Sequence, residues 1–407
     1  MTSRERRAAW DLIEQAERFG ARNYAPLPVV IERGEGCFVW DVEGRRYLDG
    51  LSAYSALNQG HRHPRIVAAL TEQAGRLTLT SRAFHNDRMG DLLERLASLT
   101  GFPRAVLMNT GVEAVETAVK AMRRWGYQVK GIPDGEGELV VAEGNFHGRT
   151  LLAVSLSSDP SSYRHYGPYV PGIVRVPFGD EGALARALGP HTVGVLLEPV
   201  QGEAGVIVPP DGYLPRVREL CSAAGVPLCL DEVQTGLGRT GRMFAWEHWG
   251  ARPDLICLGK ALSGGVYPVS AVCGTEALIG VFTPGTHGST YGGNPLAAAV
   301  GLAALDVLVE EDLPGRAGRL GGLVRSRLGA GLAGAPGVAE VRGLGLMLAV
   351  QFREPSAHRV AEALAREAAV LCKDTRGHTV RFLPPLMTPE EVLLEAVERM
   401  LPVLRRG

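Results

Sequence analysis

Short runs of apolar residues, each bounded by glycine, proline or charge, recur along the middle of this chain. From about residue 64 to 300 they are Ala105–Met108, Leu139–Ala142, Val193–Leu197, Pro227–Leu230, Leu255–Leu258 and Val269–Cys273. Segments with helical spacing separate them. Strands of uninterrupted apolar character alternating with helices predict βαβ units, with a mainly parallel sheet covered by helices on both faces. The ends of the chain read differently. Residues 8–19 have the pattern of an amphipathic helix, followed by an extended Pro-rich segment, Tyr24-Ala-Pro-Leu-Pro-Val-Val-Ile. Gly36–Asp49 reads as two short strands about a tight Glu-Gly turn. Beyond about 304 come a long helical stretch, a strand-like Val338–Phe352 segment and a C-terminal helix over 389–404. The predicted class is α/β, with a large domain over 51–303 and a smaller α+β domain assembled from 1–50 and 304–407.

Length and composition fit that division. A chain of 407 residues is too long for one compact core. Apolar residues make up 45% and charged residues 21%, the net charge is -1, and no basic run is present, so neither nucleic acid nor an anionic membrane surface is an expected partner. The first ten residues lack the apolar core of a signal peptide, and no stretch of about 18 apolar residues predicts a membrane span. The six cysteines are scattered, with no CxxC pair and no zinc spacing. A reducing cytoplasm, no disulfides and no metal are expected.

The chemistry is expected where the apolar runs end, because open α/β sheets bind ligands beyond the C-terminal ends of their strands. Ala105–Met108 runs into Asn109-Thr110-Gly111-Val112-Glu113 and then a helix, a turn that suits a phosphate or serves as an ordinary N-cap. Pro227–Leu230 runs into Asp231, a carboxylate that either caps a helix or pairs with a cofactor cation. Leu255–Leu258 runs into Gly259-Lys260, where desolvation would make the amine a nucleophile and where a surface lysine is the plainer alternative. Together, a strand-end acid, a strand-end lysine about 30 residues later and an upstream phosphate turn suit pyridoxal 5'-phosphate (PLP). A competing motif, Gly236-Leu-Gly238-Arg-Thr-Gly241, matches a dinucleotide fingerprint in letters. It stands too far from its strand and does not open an apolar helix, so it predicts no Rossmann site.

The motifs Asp231-Glu-Val-Gln-Thr-Gly, Gly259-Lys-Ala-Leu-Ser-Gly-Gly and His287-Gly-Ser-Thr-Tyr-Gly-Gly-Asn-Pro-Leu resemble the class III, fold-type I aminotransferases. Asn23-Tyr-Ala-Pro-Leu-Pro-Val, Ser55-Ala-Leu-Asn-Gln-Gly-His, Met108-Asn-Thr-Gly-Val-Glu-Ala and Gln201-Gly-Glu-Ala-Gly-Val are similar to the ornithine-specific branch of that family. The resemblance runs from about residue 20 to 400. It implies a homodimer that transfers the δ-amino group of ornithine to 2-oxoglutarate. Lys260 would be the Schiff-base lysine and proton shuttle, and Asp231 the partner of the pyridine nitrogen. Phe146 would stack on the ring and Gln234 would contact its phenolic oxygen. Thr110, Gly111 and Val112 would cradle the phosphate, joined by Ser289 and by Thr290, which would reach in from the other subunit of the dimer. Tyr24 and Tyr54 would hold the α-amino acid end of ornithine. Arg149 and Arg381 would bind carboxylates, and Glu203 would mask Arg381. His61, His63 and His287 read as structural or interface groups. One departure stands out: His147 occupies the place of a Trp in animal ornithine enzymes, and Phe-His-Gly-Arg is common in acetylornithine aminotransferases. The nearest alternatives are an acetylornithine, 4-aminobutyrate or lysine ω-aminotransferase, and, of another reaction class, a PLP racemase or decarboxylase.

Overall fold

The computed structural model describes residues 8–407. Helix Ala9–Phe19 forms where the amphipathic pattern predicts it and buries none of its side chains. A meander follows, of β1 (Ile31–Glu35), β2 (Phe38–Asp41) and β3 (Arg46–Asp49). The turn between β2 and β3 is closed by Asp41, whose Oδ1 accepts from the backbone N–H of Glu43 and Arg45 at 3.0 and 2.8 Å. β1 was not among the expected strands. Its Ile-Glu-Arg-Gly-Glu composition is polar because the strand lies at a sheet edge and is largely exposed.

The middle of the chain builds a seven-stranded sheet. Its strands are β4 (Arg104–Met108), β5 (Glu138–Ala142), β6 (Ile173–Val176), β7 (Thr192–Leu197), β8 (Leu228–Asp231), β9 (Leu255–Leu258) and β10 (Ser270–Gly274), in the order β4-β10-β9-β8-β7-β5-β6. All six apolar runs are strands of this sheet. The seventh, β6, is a short edge strand interrupted by Arg175, and so carries little apolar signal. Pairing is parallel except at β10, which runs antiparallel to both β4 and β9. Every residue of β7, β8, β9 and β10 is buried, the consequence of helices packed on both faces. Because β4, β8 and β9 point the same way, Thr110, Asp231 and Lys260 emerge along one edge of the sheet.

The Val338–Phe352 segment is a hairpin of β11 (Val338–Leu344) and β12 (Met347–Phe352), reversing at Gly345-Leu346. It forms a second sheet with β15 (Thr379–Phe382) and β14 (Lys373–Thr375). Helices Pro295–Glu310, Leu313–Leu332 and Glu390–Leu404 complete this part of the chain. The two ends of the chain meet, since β13 (Val370–Leu371) lies parallel to β3 in the meander sheet.

The glycine-rich match at 236–241 is a packing junction. Arg239 is fully buried and donates to the carbonyls of Leu346 and Pro384, to Ser52 Oγ and to Asn58 Oδ1. Burial without a carboxylate in contact pulls its pKa down to about 9. One side chain thereby ties the central loop to both ends of the chain, at a desolvation cost that the four bonds from NH1 and NH2 must offset, Nε having no partner.

Candidate active site

Lys260 begins a 3-10 turn directly after β9, with φ +42°, in the left-handed region that disfavours a side-chain-bearing residue. The strain is held by local bonds: Ser263 Oγ donates to the Lys260 carbonyl at 2.7 Å, and Leu262 N–H to that of Gly259 at 2.9 Å. The amine faces a cleft together with Asp231, Phe146, Glu203 and Gln234. Part of its surface opens to that cleft, yet desolvation by the surrounding protein lowers its pKa, against the opposing pull of Asp231, Glu203 and Glu198.

Asp231, the last residue of β8, is buried and doubly anchored. Its Oδ1 accepts from Val233 N–H at 3.1 Å and its Oδ2 from His147 Nδ1 at 2.7 Å. At the other end of the cleft, helix Gly111–Trp125 starts with a capping box. Thr110 Oγ1 accepts from Glu113 N–H, while the Glu113 carboxylate accepts from the N–H groups of Thr110 and Asn109. The box therefore uses Thr110, and leaves the N–H groups of Gly111 and Val112 outside it. A Cβ at Gly111 would stand 2.7 Å from Val233 Cγ1, so this helix start is drawn against the loop after β8 as closely as only glycine permits. A buried carboxylate, an amine of lowered pKa and a helix N-terminus around one space form the donor set that a phosphorylated pyridine aldehyde requires. The residues fit that group.

The substrate side is built from four loops. Arg381, on β15, is 1% exposed, and its NH1 donates to Glu203 Oε1 at 2.6 Å. Its guanidinium lies 5.1 Å from the centre of the Tyr54 ring. Tyr54 sits in a left-handed turn of four non-glycine residues, Ser52 to Ser55, with φ between +46° and +77°. Asp49 Oδ1 accepts from the N–H groups of Leu51 and Ser52, and Ser52 Oγ donates to the Leu383 carbonyl, which pins this turn. Burial raises the Tyr54 pKa, so its hydroxyl stays a hydrogen-bond donor. Gln234 is buried and its Nε2 donates to the Tyr54 carbonyl at 3.2 Å. Arg149 is exposed; it donates to Ser162 Oγ at 3.1 Å and lies 5.3 Å from the Phe146 ring centre.

Three of the expected residues lie outside this cluster. Tyr24 is 82% exposed on the extended N-terminal segment, which Lys373 tethers by donating from Nζ to the Ala25 carbonyl at 3.0 Å. Ser289 accepts from Asn109 Nδ2 at 3.0 Å and so joins the turn before the capping box. Thr290 is exposed and does not line the cleft of the single chain.

A model of the family described as aminotransferase class-III matches residues 19–404. The chain belongs to that family. Among individual class-III aminotransferases, an ornithine aminotransferase of Oceanobacillus iheyensis is 50% identical over 394 residues, 97% of this chain and 98% of that one. The crystal structure of the ornithine aminotransferase from Toxoplasma gondii superposes with a TM-score of 0.96 at 44% identity, covering 98% of this chain and 95% of that one. A second structure of the Toxoplasma enzyme holds PLP at partial occupancy in its active site. The acetylornithine aminotransferase from Elizabethkingia anophelis superposes with a TM-score of 0.90, also at 44% identity, covering 98% of this chain and the whole of that one.

Two side chains of this class-III cleft escaped the reading of the sequence as functional groups. Glu198 follows β7 and is buried. It accepts from Phe146 N–H at 2.9 Å and from Gly202 N–H at 3.2 Å, so one carboxylate pins the loop carrying Phe146 to the loop carrying Glu203. Burial raises its pKa to about 7, with His147 lowering it and Asp231 raising it. His147 is buried completely as a side chain. An acid before a proline and a histidine beside a phenylalanine have no motif of their own; only the fold brings them to Asp231.

Proposed function

We propose that the chain is a PLP-dependent ornithine aminotransferase. It moves the δ-amino group of L-ornithine to 2-oxoglutarate, giving glutamate 5-semialdehyde and glutamate. The observation that carries this reading is the Glu203–Arg381 pair, 2.6 Å long, whose Glu203 lines the cleft that also holds Lys260. Ornithine presents its distal amine for transfer, and next to that amine it has only methylenes. Glutamate presents its α-amine, with a carboxylate directly beside it. A guanidinium that is neutralised for the first substrate and released for the second suits a site that must take both.

When bound, the cofactor supplies an electrophilic carbonyl carbon and a ring that accepts an electron pair. Lys260, whose amine is shifted toward the neutral form by desolvation, would hold the cofactor at that carbon through Nζ and would carry a proton at Nζ to and from the substrate. Asp231 holds a proton on the pyridine nitrogen through its negative charge. Gly111 and Val112 offer N–H groups and the positive end of a helix to the phosphate. Phe146 covers a ring face, and Gln234 donates at its phenolic oxygen. Tyr54 and Tyr24 take the α-amino acid end of ornithine, and Arg149 takes the distal carboxylate of 2-oxoglutarate.

The enzyme works as a homodimer in which Thr290 of one chain approaches the phosphate of the other, consistent with its exposure in the single chain, while Ser289 stays beside the phosphate turn of its own chain through Asn109. Its compartment is a reducing cytoplasm, in keeping with six free, buried thiols and with no helix long and apolar enough to cross a membrane among the described residues. A second reading, acetylornithine aminotransferase, is favoured by Phe146-His147-Gly148-Arg149 and by the Elizabethkingia structure. Amino-donor profiling with 2-oxoglutarate decides between them. Ornithine should give the highest kcat/KM among ornithine, N-acetylornithine, lysine and 4-aminobutyrate; a preference for N-acetylornithine would overturn the assignment.

A further inference from the structure

Asp231 has its two oxygens held by two different kinds of donor. Val233 N–H is part of the backbone of the same loop and will be present in any sequence. The bond from His147 Nδ1 to Oδ2, at 2.7 Å, comes from a side chain 84 positions away and is the one long-range polar contact that orients the carboxylate. The imidazole is sealed: its side chain has no exposed surface, and Nε2 is buried without a hydrogen-bond partner. These facts fix its tautomer. Oδ2 of an ionised Asp231 accepts, so Nδ1 carries the hydrogen, and in the neutral ring Nε2 is then a bare lone pair. An unpaired buried lone pair costs less than an unpaired buried N–H cation, so the neutral Nδ1–H form suits this pocket once a second cation adjoins Asp231.

We infer that His147 is a positioning residue of the transamination, its Nδ1–H fixing the Asp231 carboxylate toward the cofactor's ring nitrogen. The inference rests on the PLP reading above. Without the histidine, Oδ2 would lose its only side-chain donor inside a buried site. The carboxyl would then take up a proton more easily, and a neutral acid does not hold a pyridinium. Charges on two sides of the ring act on its protonation. Two acids face it, Asp231 from the end of β8 and Glu198 from the loop after β7. Burial works against a charged imidazole, while the Asp231 bond, the Asp231 charge and Glu198 work for it, and the net effect raises its pKa.

Three measurements on the holoenzyme test this. Nitrogen NMR of the wild type should find His147 neutral and protonated at Nδ1; a signal from the Nε2–H tautomer would overturn the inference. With PLP labelled at its ring nitrogen, His147→Leu should move that signal toward the unprotonated position and lower kcat on the order of ten- to hundred-fold, the usual range for a residue that orients a catalytic group. KM for ornithine should change by less than about threefold, because no substrate atom is touched. His147→Asn, whose amide N–H can replace Nδ1–H, should restore most of the ring protonation and rate. A ring-nitrogen signal in His147→Leu equal to that of wild type would sink the idea, as would Asn and Leu variants that are equally impaired. Should His147→Leu fail to fold, the tautomer and the Asn variant still decide. Failure of the aminotransferase reading would show separately, as wild-type protein that exchanges no amino group or is labelled by borohydride at a lysine other than Lys260.

Discussion

Removing the carboxylate of Glu203 leaves Arg381 buried with little else to satisfy it. The guanidinium is 1% exposed, its Nε has no hydrogen-bond partner, and beyond Glu203 its remaining contact of note is the face of Tyr54. Breaking a fully buried pair by deleting one partner costs about 3–5 kcal/mol. Glu203 is 29% exposed as a side chain, so water screens part of the interaction and a value of about 2–3 kcal/mol is reasonable here. A substrate carboxylate reaching Arg381 recovers that energy; an ornithine methylene does not. Glu203→Ala should therefore shift the ratio of kcat/KM for the glutamate half-reaction over the ornithine half-reaction by roughly 30–150-fold toward glutamate. It should also let ornithine bind with its α-carboxylate on Arg381 and react at the α-amine. Stopped-flow single turnovers with each substrate measure the ratio, and product analysis detects α-transamination. A ratio within about twofold of wild type would refute the gating argument, while leaving the family assignment untouched.

Lys260→Ala should retain the cofactor through its phosphate yet lose about four or more decades of turnover, since nucleophile and proton carrier leave together; near-native turnover would reassign the role. Asp231→Asn should keep the fold and the cofactor and lose about 100-fold or more in rate, with the ring nitrogen of bound PLP unprotonated by NMR. Tyr54→Ile should reduce the preference for ornithine over 4-aminobutyrate by roughly 1–3 kcal/mol, the scale of a buried polar group left unpaired, read from the ratio of kcat/KM values. Glu232 is buried, accepts from the N–H groups of Ala245 and Trp246, and has a pKa raised by burial from 4.5 to about 7. The folded state then binds its proton more tightly than the unfolded state, so this contribution to stability is complete below pH 4.5 and is lost as pH rises through about 7. In urea titrations of the cofactor-free protein, Glu232→Gln should flatten the decline by up to about 3 kcal/mol, and an unchanged pH profile would contradict the assignment.

The sheet was readable because parallel strands buried on both faces must be apolar throughout, as β7 and β9 are, and because helices force them apart along the chain. The place of Asp231 and Lys260 at the cleft was readable for a related reason: they break apolar runs at the points where the fold opens. Elsewhere the determinants are long-range. β6 is a short edge strand of four residues whose Arg175 reaches back to the carbonyls of Ser155 and Leu156 and breaks its apolar run. The left-handed turn at Ser52–Ser55 contains no glycine, and local preference opposes it. It exists because Asp49, Leu383 and Arg239 hold Ser52 from three directions. Arg239 itself stood in a motif whose letters suggested a nucleotide. Its function as a buried junction depends on carbonyls at 346 and 384, more than a hundred residues away.

Three carboxylates share one cleft, and their surroundings separate their tasks. Asp231 has both oxygens fixed and lies in the sheet's edge, which suits a permanent negative charge beside a ring nitrogen. Glu198 has two backbone donors and a pKa near 7, so it holds two loops together and need not remain ionised to do so. Glu203 alone is partly exposed and bonded to a side chain, Arg381, whose own backbone is fixed in β15 between β12 and β14. Of the three, it is the one that can leave its partner without stranding a backbone N–H group. Mobility at Glu203 and rigidity at Glu198 are linked through Gly202, where a Cβ would collide with Gln234 Oε1. The loop is thus clamped one residue before Glu203, so the swing we propose would be confined to that side chain. On that proposal, the confinement would let one site accept two substrates in opposite orientations while the groups around the cofactor stay in place.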